Sequence, residues 1–140
     1  MQKKYLRIIL AVIGILVVVS VAVSVPLYVI RRTTLKHETD RWAVIRDINN
    51  DRLAVETTDD NVWAQLVQMK ENGSRLWVGG KVKEYENKWS FRFDPTTLTV
   101  AQFTAEGLQS TIEGISNDLD YWLSLEYAYV GSIVIEIHLP

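Results

Sequence analysis

Two histidines, no cysteine and a few short acidic clusters are all that this 140-residue chain offers for building a catalytic or metal centre. His37 and His138 stand 101 positions apart, and neither forms a His/Glu pair at helical spacing. A zinc site or a nucleophile–base pair needs such groups close together, so neither chemistry is expected. Asp47-x-Asn49-x-Asp51 matches the first half of an oxygen-rich calcium loop, whose alternate side chains converge on one ion. Its second half is missing: Arg52 stands where such a loop needs Gly, and Thr58 where it needs a bidentate Glu. Asp47, Asn49 and Asp51 therefore read first as a solvated hairpin turn, and as the place where calcium, if bound at all, is held. Asp118 and Asp120 point about 200° apart on a helix and read as solvated charges. No Gly-rich phosphate loop follows a strand and opens a helix.

The elements that would position these residues fall into two unlike pieces. Residues 1–41 carry seven Lys/Arg against Glu38 and Asp40, a net +5, whereas residues 42–140 carry eight basic and fifteen acidic residues, a net −7. A −7 domain without a basic stripe would repel phosphate, which excludes nucleic acid as a partner. Ile8 to Ile30 is a run of 23 residues without a charge. As a helix it covers roughly 34 Å, enough for a hydrocarbon core of about 30 Å. Tyr5 and Tyr28 bracket the run as interfacial aromatics, and Arg31 and Arg32 close it as a stop-transfer flank. A cleaved signal peptide would have a shorter apolar core, although Ala22-Val23-Ser24 could serve as its cleavage site. A soluble core helix would not be apolar on every face in so short a chain. The expected organisation is a basic N-terminus over 1–7, a transmembrane helix over 8–30, a juxtamembrane spacer over 31–41 and a domain over 42–140. A short basic N-terminus followed at once by the apolar run favours the domain outside the cytoplasm.

Within 42–140 the pattern predicts an α+β domain, a small mostly antiparallel sheet with two helices. Trp42–Arg46 and Leu53–Thr57 are β-rich runs joined by an Asn/Asp turn. Asp59 or Asp60 caps a helix with Val62, Trp63, Leu66, Val67 and Met69 on one face, ending at Asn72-Gly73. A strand over 75–85 contains Gly79-Gly80, which signals a bulge or a close backbone approach. Trp89, Phe91 and Phe93 alternate onto one face before Asp94-Pro95 breaks the strand, and another strand is expected over 98–103. Ser110-Thr111-Ile112-Glu113 has the form of a capping box opening the second helix, and the β-branched run 132–138 suits a central strand. Of five Trp, Trp63, Trp89 and Trp122 are expected in the core; Trp42 and Trp77 are left between core and surface.

Residues 89–138, with the aromatic strand ending in Asp94-Pro95, the strand from Leu98, the helix with Ile112-Glu113 and the last β-branched strand, resemble the N-terminal domain of a calcium-dependent cell-adhesion protein family. The resemblance implies an extracellular, non-enzymatic module with a calcium dependence. Gly107 and the Glu126–Ala128 stretch stand where that family often has Cys, so no disulfide is carried over. Taken together, the chain is expected to be a membrane-anchored extracytoplasmic binding or adhesion module for a protein or glycan partner. The alternative is a single-pass accessory subunit of a larger membrane complex, whose helix would pack through small residues such as Ser20 and Ser24.

Overall fold

The computed structural model describes residues 39–140; the expected membrane helix, with Tyr5, Tyr28, Arg31, Arg32 and His37, lies outside the described residues. The elements run β1 (Trp42–Asp47), β2 (Arg52–Val55), α1 (Asp60–Asn72), β3 (Leu76–Glu84), β4 (Phe91–Phe93), β5 (Thr99–Ala101), β6 (Gln109–Ser110), α2 (Ile112–Asn117), α3 (Leu119–Leu125) and β7 (Tyr127–His138). They form a mostly antiparallel sheet with a few helices. Among the described residues no helix is long and apolar enough to cross a membrane.

Local chemistry sets the boundaries. Asn50 takes the left-handed conformation at φ 64° in the β1–β2 turn, a place that suits Asn because its short polar side chain tolerates it. The turn is closed by Asn50 N–H donating to Asp47 O at 3.1 Å and Asp47 N–H donating to Asp51 O at 3.0 Å. Helix α1 starts as expected: Asp59 Oδ1 accepts from the N–H groups of Asn61 and Val62 at 2.7 and 3.3 Å. It stops at Gly73, left-handed at φ 65°. The second helical segment differs from the expectation by one position and in length. Thr111, not Ser110, is its cap, accepting from Gly114 N–H at 3.0 Å. The segment breaks at Asp118 into α2 and α3.

The sheet order is β2-β1-β7-β3-β4, with β5 also on β3 and β6 also on β7. The last strand is central, as its β-branched sequence predicts, and at 12 residues it is longer than expected. The β6–β7 pair is parallel, which follows from the α2–α3 crossover between them; every other pairing is antiparallel. The Gly79-Gly80 pair marks a close approach and not a bulge, since β3 and β7 stay in register from Leu76↔Ser132 to Lys81↔Tyr127. A Cβ at Gly79 would run into the backbone of Ala128 and Tyr129, and one at Gly80 would sit 2.9 Å from Thr97 Oγ1. The irregularity lies instead between β1 and β7, where Val44 faces Glu136 but Ile45 faces Val134. The outer strands β2 and β4 come back into contact, and Thr58 N–H donates to Pro95 O at 3.3 Å beside them.

The core gathers Ala43, Ile45, Leu53, Val55, Val78, Val82, Phe91, Phe93, Val130 and Val134 from the sheet. Val62, Trp63, Leu66 and Met69 join from α1, and Ile112, Ile115 and Trp122 from α2 and α3. Two expectations fail here. Ser90 is left-handed at φ 64°, which cuts Trp89 off from the strand of Phe91 and Phe93. Trp89 is half-buried and packs against the core from its edge, and its Nε1–H reaches across to Arg52 O at 2.8 Å. The strand expected over 98–103 is only Thr99–Ala101, and Phe103 is 85% exposed.

Candidate binding groove

Asp47 is only 2% exposed, and both its carboxylate oxygens are engaged by backbone donors. Oδ1 accepts from Asn49 N–H at 2.9 Å and Asp51 N–H at 3.0 Å; Oδ2 accepts from Ile112 N–H at 2.9 Å. The carboxylate thus fixes its own turn and fastens it to the first turn of α2. Asn49 is exposed and Asp51 half-buried. A calcium ion wants six to eight free oxygens. Asp47 offers such an ion little, because its Oδ1 already accepts two N–H groups and its Oδ2 one. Among the described residues no cluster of three or more His, Asp or Glu is placed to hold a metal.

His138 stacks on Trp42, ring centroids 4.7 Å apart, with Nε2 3.4 Å from Glu136 Oε2. That is a half-buried pair at the end of the sheet, where β1 begins and β7 ends. Asp118 and Asp120 are exposed, as expected. Among the described residues Asp94 is the one carboxylate with a marked shift. Thr96 N–H donates to its Oδ1 at 3.0 Å, and with the Thr96 hydroxyl and Lys83 at 3.0 Å this lowers its pKa from the ordinary 3.8 to about 2, against the opposing effect of burial. It closes the turn after β4. Lys81 N–H donates to Thr97 Oγ1 at 2.9 Å, holding that turn against β3.

A different place on the sheet has the shape of a site. Alternation along β3 turns Trp77 to the face opposite the buried Val78, and its cross-strand partner on β7 is Gly131. With no side chain at Gly131, the six-membered part of the Trp77 ring lies over it, 3.2–3.6 Å from where a Cβ would stand. A cavity of about 490 Å³ opens here, within the range of small-molecule sites. Its apolar lining is Ile48, Leu76, Trp77 and Gly131; its polar lining is Arg75, Gln102, Gln109, Ser110 and Thr111. Ile48, the residue after β1, is 74% exposed, which is unusual for its type. Arg75 is the one charged residue of the lining, and its Nη1 donates to Gly131 O at 3.4 Å.

Neither the groove nor its amides were among the residues singled out from the sequence. The available signal was modest: an Arg75-x-Trp77 alternation on a strand whose even positions are core. β6, which carries Gln109, is two residues long and leaves no period to read.

No protein family, curated protein or solved structure matches this chain. The likeness to the cell-adhesion domain therefore rests on the residues quoted for it.

Proposed function

We propose that the chain is a membrane-anchored, extracytoplasmic binding or adhesion module, and that the Trp77 groove is its contact surface. The observation that carries this reading is the groove's lining, an exposed Ile48 beside an indole laid on Gly131, with amides and hydroxyls around them. The groove lies past the end of β1 opposite Trp42, where the chain enters that strand. The groove's polar groups support binding over catalysis: amides, hydroxyls and a guanidinium do not act as general bases near neutral pH.

The test is adhesion of phosphatidylcholine vesicles carrying the full chain to intact cells of its source. Ile48→Asp should reduce adhesion several-fold, while Leu139→Asp, at a residue 69% exposed outside the groove, should not. Equal adhesion by both variants and the wild type would overturn the proposal.

A further inference from the structure

Resting on that reading of the domain as a binding module, we infer that the groove takes a neutral sugar chain. At the level of Trp77 the sheet runs β5, β3, β7, β6. Gln102 follows β5 on one side of the Trp77–Gly131 pair, and Gln109 lies on β6 at the other. Three inter-strand spacings of about 4.8 Å put the two flanks roughly 14 Å apart, which is a long cleft rather than a hole for one side chain.

Each part matches one feature of a sugar. The apolar C–H face of a pyranose needs a flat, partly exposed ring, and Trp77 is held in place on Gly131, so little side-chain freedom is lost on binding. Hydroxyls both donate and accept, and the side-chain amides of Gln102 and Gln109 do the same. Charge argues against the other classes. No carboxylate lines the groove to meet a cationic ligand. Arg75 is the single cation of the lining, so an anionic ligand would find no cluster of cations. A peptide anchored by an apolar side chain would want a deep, closed pocket, whereas the floor here is a glycine and an indole laid over it.

The experiment uses the full chain in phosphatidylcholine nanodiscs, free of glycolipid and glycoside detergent, with cellohexaose, maltohexaose, chitohexaose and mannohexaose as probes. The readout is the Trp77 indole N–H resonance, assigned with Trp77→Phe. At least one probe should shift it saturably. Gln102→Leu and Gln109→Leu, both at exposed positions, should each weaken that binding about two- to tenfold, the equivalent of one hydrogen bond. Undiminished binding in both variants would overturn the assignment of the amides. If no hexaose moves the resonance while vesicle adhesion still depends on Ile48, the sugar is wrong and the binding module stands. If adhesion is also independent of Ile48, both readings fall. Preference for dextran sulfate over all four neutral probes would overturn the neutral class.

Discussion

Asp47 illustrates how one side chain can be diverted from the chemistry its neighbours suggest. Its spacing to Asn49 and Asp51 fits an ion, yet its oxygens hold three N–H groups on two elements. In Asp47→Asn one oxygen becomes an amide nitrogen, leaving a donor facing a donor at this buried site. Urea unfolding should show a loss of about 2–3 kcal/mol, and millimolar calcium should leave the midpoint of the wild type where it was. Asp94 gives a pH signature. Its folded pKa of about 2 lies below the ordinary 3.8, so its contribution is complete above about pH 4 and is lost as pH falls toward 2. Asp94→Asn should therefore be less stable than wild type at pH 6, with the gap narrowing as the urea midpoint is followed down to pH 2.5. Gly79→Ala should cost about 3 kcal/mol, because the added methyl meets the main chain of Ala128 and Tyr129, which cannot move aside, as well as the Tyr129 ring.

Elements whose determinants are local could be read from the sequence. The Asn/Asp turn, the Asp59 cap, the Gly73 stop and the apolar face of α1 all act within a few residues, and each stands where it was expected. The β-branched run also gave the right central strand, since branched side chains pack well against neighbouring strands on a pleated surface. What escaped depends on partners distant in sequence. Strand β6 exists because it lies beside Tyr129 and Val130 of β7. Ser110 and Thr111 are equally good caps by type, and Asp47, 65 positions away, bonds the N–H of Ile112, just after Thr111. Trp89 alternates in sequence with Phe91 and Phe93, but Ser90 turns left-handed and sends the indole to Arg52. The groove escaped for the same reason, being assembled from β3, β5, β6, β7 and the β1–β2 turn. The Ser90 backbone carries its own prediction. Ser90→Gly should stabilise by about 0.5–1 kcal/mol in thermal or urea unfolding, while Ser90→Val, branched at a left-handed position, should destabilise.

At the scale of the molecule, the stretch just before β1 is bound into the domain. Glu56 Oε1 accepts from Thr39 N–H at 3.2 Å and from its hydroxyl at 3.3 Å. Arg41 donates to Asp60 at 2.6 Å and lies over the Trp63 ring at 5.0 Å. A chain starting at Thr39 should thus fold with the stability of the full domain, and one starting at Trp42 should be about 1 kcal/mol weaker in urea. The proposed topology is checked on intact cells: protease added outside should remove an epitope placed after Pro140. Protection of that epitope until the membrane is opened would reverse the orientation.

Under the proposed reading, a pull on the domain would enter at one end of β1 and leave through a ligand past the other. Once the contacts of Thr39 and Arg41 had yielded, such a pull would reach Trp42 and be taken out across β7 and β3, along the strands and not across them. β1 is hydrogen-bonded to β2 on one side and β7 on the other. Lengthwise traction therefore loads these rungs together, in shear, where peeling would break them one at a time.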